Sequence, residues 1–165
     1  MKIIFLDVDG VLNNYSTTER CGDYCGIETD CLSRLKKLVD ISGAEIVLVS
    51  TWKDHWEKDE RLKYKQDEFA NYIDARFAEK GLKIYDKTCD EFDGEYSRGG
   101  GIANYIEKSK PEKFVIIDDN TYDYDMCGLS QYLVKTDRNY GLLECKTMRA
   151  FVILGCDEAC EPHKI

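Results

Sequence analysis

Ile3 to Leu6 form an unbroken apolar run that stops at two alternating acids, Asp7 and Asp9, followed by Gly10. A short run without polar alternation suits a strand buried on both faces, the habit of parallel sheets. A strand ending in Asp-x-Asp-Gly brings carboxylates to the carboxyl edge of its sheet, where open α/β folds place their chemistry. Two negative charges at a buried strand end are costly unless a cation or hydrogen bonds compensate them. The competing reading is a plain acidic turn, since Asp-Gly is a common turn pair. The rest of the chain bears on that choice.

Strand and helix patterns alternate along the sequence. Asn13 to Glu28 is polar with two glycines and reads as a loop or small hairpin. Leu32, Leu35, Leu38 and Val39 recur at helical spacing, with Asp30 as a candidate cap and Gly43 as the stop. Ala44 to Val49 is a second buried-type strand, ending at Ser50-Thr51-Trp52-Lys53. Phe69, Ile73 and Phe77 mark a helix stopped near Gly81, and Leu82 to Tyr85 reads as a third strand. Residues 86–98 read as a loop, Gly100 to Lys108 as a helix, and Pro111 as its stop. Lys113 to Ile117 then runs straight into Asp118 and Asp119; Gln131 to Val134 is a fifth strand; Leu142 to Leu154 is a closing helix. This order predicts an α/β fold: a doubly wound, Rossmann-like parallel sheet with helices on both faces.

The 165 residues predict a single domain, spanning 1–165, with enough chain to bury a core. No window approaches the roughly 18 apolar residues of a membrane span, and the start lacks the pattern of a signal peptide. A cytoplasmic protein is therefore expected. Its eight cysteines are expected as reduced thiols. Cys156 and Cys160 with His163 form only a loose zinc pattern, with no second cysteine pair to complete it. The net charge of −9 argues against tight, non-specific nucleic-acid binding and against anionic membranes.

Three apolar strands thus end in polar groups of complementary type: Asp7 and Asp9, then Ser50 and Thr51, then Asp118 and Asp119. In a parallel sheet those ends share one edge. Four carboxylates in a small cleft need a cation, or mutual repulsion would force protonation. Hard carboxylate oxygens suit Mg²⁺. A hydroxyl pair beside such a metal is well placed to bind phosphate oxygens.

The strings FLDVDGVLN, LVST and VIIDD, in this order, resemble the first, second and fourth motifs of the haloacid dehalogenase (HAD) superfamily of phosphohydrolases. DVDGVLN, LVSTWK, a basic residue before GIANYI, VIIDD and LVKTDRNYGL are further similar to the HAD domain of multi-part RNA repair proteins. The resemblance implies Asp7 as nucleophile, Asp9 as general acid and base, and Mg²⁺ held by Asp7, the Asp9 backbone carbonyl, Asp118 and Asp119. It implies that Thr51, or else Ser50, bonds the phosphate, with Gly10 close by. An acid at position 9 implies a phosphatase and not a dehalogenase. The third-motif cation is where this chain departs from the pattern. Arg98 is the positional candidate and Lys53 the other, each with a solvated surface cation as its bland alternative.

Neither usual insertion point is long enough for a folded cap, so a minimal cap or none is expected. An open site admits a phosphorylated small molecule, a nucleotide or a nucleic-acid end. Two readings from other classes remain: a receiver-like module phosphorylated on an Asp, and a non-catalytic Mg²⁺-binding scaffold. A receiver carries its paired acids after the first strand and its acceptor Asp later, the reverse of the order here.

Overall fold

The computed structural model describes residues 1–92 and 94–156. In chain order, β1 (Lys2–Leu6) is followed by a short hairpin, β2 (Arg20–Cys21) and β3 (Tyr24–Cys25), and then by α1 (Thr29–Ser42). Next come β4 (Glu45–Leu48), a 3₁₀ turn at Thr51–Lys53, α2 (Glu68–Glu79) and β5 (Ile84–Lys87). A second hairpin, β6 (Glu91–Phe92) and β7 (Glu95–Tyr96), leads into α3 (Arg98–Ser109). β8 (Lys113–Asp118), β9 (Leu133–Lys135) and α4 (Glu144–Ile153) complete the described chain.

Five strands form one all-parallel sheet in the order β5-β4-β1-β8-β9. β1 lies at the centre, which explains its unbroken apolar run. Alternate side chains point to opposite faces. Ile4 and Leu6 join the core built with α1, α2 and α4. Ile3 and Phe5 join a second core under α3, with Ile102, Ile116 and Tyr124. Both faces are covered, as the alternating pattern predicts, and the fold is α/β, doubly wound and Rossmann-like.

Local chemistry explains the element ends. Gly43 caps α1 in the left-handed conformation (φ +66°), and its N–H bonds the Val39 carbonyl. Asp30 is not the cap: Glu28, two residues earlier, holds the cap position, and Asp30 sits in the first turn, where a negative charge favours the dipole. The third sheet strand falls two residues later than the apolar run suggests. Leu82 is buried beneath α2 instead of pairing, and a register irregularity brings Asp86 and Lys87 into the ladder with β4. Residues 86–98 contain the β6–β7 hairpin where a plain loop was expected.

Among the described residues, the elements between β1 and α1 are those of the β2–β3 hairpin, and between β5 and α3 those of the β6–β7 hairpin. Among the described residues no helix is long and apolar enough to cross a membrane. Cys21, Cys25, Cys31, Cys89, Cys127, Cys145 and Cys156 are free thiols. The tail pattern cannot be placed, because Cys160 and His163 lie outside the described residues.

Candidate active site

The central position of β1 decides where its acids go. The Asp7 N–H continues the ladder to the Ile117 carbonyl (3.0 Å), so Asp7 leaves the sheet beside the end of β8. Asp118 is the last residue of β8 and is fully buried. Carboxylate oxygens of Asp7, Asp118 and Asp119 lie within 4.8 Å of one another.

Arg98 enters this cluster from α3. It is 3% exposed, and its guanidinium lies 2.9 Å from Asp118 Oδ2 and 3.3 Å from Asp7 Oδ1. A cation in the first turn of a helix works against the helix dipole, and burial disfavours its charge; the two carboxylates outweigh both and hold Arg98 firmly protonated. The Tyr122 ring covers the guanidinium, with Cζ 4.1 Å from the ring centroid. Asp118 also accepts the Tyr124 hydroxyl (2.7 Å) and the Asn120 N–H (2.8 Å).

One buried cation shared by two buried carboxylates leaves negative charge uncompensated. Burial, and then the charge of Asp118, push the Asp7 carboxyl up to about 7, against the pull of Arg98 and the Val8 N–H. Asp118 is raised by burial too, opposed chiefly by Arg98. Asp119 is paired with Arg138, whose side chain reaches in from the loop after β9. An all-oxygen donor set with excess negative charge fits a hard divalent cation. Among the described residues, Asp7, Asp118 and Asp119 are grouped so that their side chains could hold one.

Asp9 points away from that cluster. Its Oδ1 accepts Asn13 Nδ2 (2.9 Å) and its Oδ2 accepts Trp52 Nε1 (3.0 Å). Asn13 is held in turn by the Gly10 N–H, which donates to its Oδ1 (2.8 Å). Asp9 faces two cavities. One, of about 510 Å³, has Tyr24, Thr51, Trp52, His55 and Phe69 in its wall. The other, of about 350 Å³, has Asn14, Tyr15, Arg20 and Arg138. The β2–β3 hairpin contributes to both.

Gly10 is positioned as only glycine allows. Its φ is +75°, and a Cβ there would lie 2.6 Å from Asp119 Oδ2. Its carbonyl accepts the Thr136 hydroxyl (2.7 Å). Gly10→Ala is expected to cost about 1–3 kcal/mol and to push Asp119 out of the cluster. Thermal unfolding with and without Mg²⁺ checks this; an unchanged midpoint and an unchanged metal response would count against it.

The second-motif hydroxyls differ. Ser50 is buried and caps the 3₁₀ turn, its Oγ accepting the Trp52 N–H (3.3 Å). Thr51 is exposed on the wall of the larger cavity. Lys53 turns away from Asp7. It forms a buried pair with Asp90 (2.6 Å) and also donates to the Val49 carbonyl (3.2 Å). Asp90 is further held by Thr88 (2.7 Å) and Tyr96 (3.2 Å). Of the two candidate cations, the structure brings Arg98 to the acid cluster.

Tyr124, Asn13, Asp90 and Arg138 were not singled out from the sequence. Two of them had a visible signal: Asn13 closes the first-motif string FLDVDGVLN, and Arg138 directly follows the strand end and its run Lys135-Thr136-Asp137. A search of curated proteins found no match to this chain. The family model described as the HAD domain in Swiss Army Knife RNA repair proteins matches residues 3–146. That match spans β1, β4 and β8 and every residue placed in the site above, and the chain belongs to this family of HAD domains.

Proposed function

We propose that this HAD domain is a Mg²⁺-dependent phosphomonoester hydrolase that works through a phosphoaspartate. The observation that carries the reading is the separation of the two first-motif acids. Asp7 lies against Arg98 in the acid cluster, while Asp9, two residues on, faces the cavities. Held by Asp7, Asp118 and Asp119, Mg²⁺ would screen the charge of a phosphate so that an anionic carboxylate can approach it.

In the first step an Asp7 oxygen bonds to phosphorus as the bond from phosphorus to the leaving oxygen breaks. Protonated Asp9 gives its proton to that oxygen, and the alcohol departs. In the second step Asp9, now a carboxylate, takes a proton from water as the water oxygen bonds to phosphorus. The bond from Asp7 to phosphorus breaks, inorganic phosphate leaves, and both acids return to their starting states. Arg98 offsets charge on Asp7 throughout, and Thr51 on the cavity wall offers a hydroxyl to a phosphate oxygen.

The test is phosphate release from sugar phosphates, nucleotides, phosphopeptides and 5′- or 3′-phosphorylated oligonucleotides, with Mg²⁺ and with excess chelator. Release that needs Mg²⁺ is the expected result, and the preferred class names the substrate. A folded protein that binds Mg²⁺ and releases nothing would favour the scaffold reading.

A further inference from the structure

We propose that Trp52 is a positioning residue for Asp9: its indole N–H fixes the carboxylate that delivers the proton to the leaving group. The proposal rests on the phosphomonoesterase reading and assigns a role within it. A buried indole N–H needs an acceptor, and a backbone carbonyl would serve. Here the acceptor is the acid that faces both cavities.

The geometry removes the freedom of that acid. A free Asp rotates about χ1 and χ2, and a general acid is useful only when its proton points at the reacting oxygen. Trp52 bonds one oxygen of Asp9 and Asn13 bonds the other, so the carboxylate plane is set from two sides. Both donors are themselves held. Trp52 is 6% exposed, with its ring edge-on to Phe69 (5.0 Å between centroids) and tilted against Tyr72 (6.1 Å). Its backbone is pinned by the Ser50 cap. Asn13 is anchored by the Gly10 N–H. Each carboxylate oxygen has a second lone-pair site, so a proton can still be carried toward the substrate. The Trp52 ring is also part of the cavity wall, so the group that orients the acid touches the space the leaving group would enter.

Trp52→Phe keeps an aromatic ring, though a smaller one, against Phe69 and Tyr72 and removes the N–H. The experiment measures single-turnover rates of leaving-group release, which report the first step alone, on two substrates with Mg²⁺. One is 4-nitrophenyl phosphate, whose leaving group departs without protonation. The other is an alkyl phosphate, whose leaving group needs it. Trp52→Phe is expected to slow the alkyl substrate by about 10- to 100-fold and the aryl substrate by less than about 3-fold, with KM unchanged. Asp9→Asn is expected to show the same pattern more strongly, and adding Trp52→Phe to it to bring no further loss, since coupled residues are non-additive. Asn13→Ala, which spares the indole, is expected to shift the rates in the same sense. Circular dichroism establishes that each variant is folded. Equal slowing on both substrates, or a loss that multiplies with that of Asp9→Asn, overturns the proposal and makes Trp52 a packing residue only. Wild-type protein inert on both substrates instead overturns the phosphomonoesterase reading beneath it.

Discussion

Asp7→Asn is expected to lower phosphate release by at least about 10³-fold, because it removes the carboxylate that the proposed mechanism uses as nucleophile, and losing a nucleophile costs factors of this order or more. The same substitution is expected to stabilise the metal-free protein near pH 8. In the folded state the Asp7 carboxyl is pushed up to about 7, first by burial and then by Asp118, against an ordinary value of 3.8. Between those two values the folded chain binds the proton and the unfolded chain does not. The stability from protonated Asp7 is therefore complete below about pH 4 and is lost as pH rises through 7. A shift of this size corresponds to a few kcal/mol at most. Metal-free wild type should thus melt lower at pH 8 than at pH 5, and Mg²⁺ should restore much of the loss. Asp7→Asn should flatten the pH dependence, because an amide does not titrate. Melting curves at the two pH values, with and without Mg²⁺, test this directly. A wild-type midpoint that rises from pH 5 to pH 8 without metal would show that Asp7 is not held protonated by its surroundings.

The second large effect belongs to Arg98. Removing one partner of a buried ion pair costs about 3–5 kcal/mol, because the other charge stays behind unpaired. Here two carboxylates, Asp7 and Asp118, are left behind. Arg98→Met is expected to lower the melting temperature at pH 7.5 by roughly 6–20 °C, taking about 2–4 °C per kcal/mol for a chain of this size. The loss should shrink at pH 5, where both raised carboxyls are more nearly neutral, and on addition of Mg²⁺. Arg98→Lys keeps a charge but loses the planar guanidinium whose Nη1 lies against both acids, and should fall between. If Arg98→Met melted like wild type at pH 7.5, the arginine would not be what compensates the acids. Because burial makes the destabilisation large, activity must be compared at a temperature where both forms are folded.

How far such effects could have been foreseen varies along the chain. The apolar run before Asp7, the second run before Ser50 and the run before Asp118 reflect strands buried on both faces. Burial leaves a continuous hydrophobic signature in local sequence, so the sheet and the acid-bearing edge were legible. Asp7, Asp9, Asp118 and Asp119 were legible because strand ends deliver them in chain order. Arg98 and Lys53 were not separable in this way. Each is a basic residue next to a motif, and only the fold shows that Arg98 meets Asp7 while Lys53 is consumed by Asp90. That partner lies 37 residues away, and no local pattern announces it.

The same division holds for the acids' surroundings. Which carboxylates stand at the sheet edge follows from residue order, since each strand carries its terminal acid with it. What each carboxylate does depends on neighbours brought in from elsewhere: Trp52 on Asp9, Tyr124 and Arg98 on Asp118, Arg138 on Asp119. Residue order and local hydrophobic patterning suffice for the parallel α/β sheet and the set of acids along its edge. Which acid is buried and raised, which is turned to the cavities, and which cation compensates the cluster are set by the folded arrangement. Those outcomes depend on desolvation and on contacts between segments distant in the chain, and neither is written in any one stretch of residues.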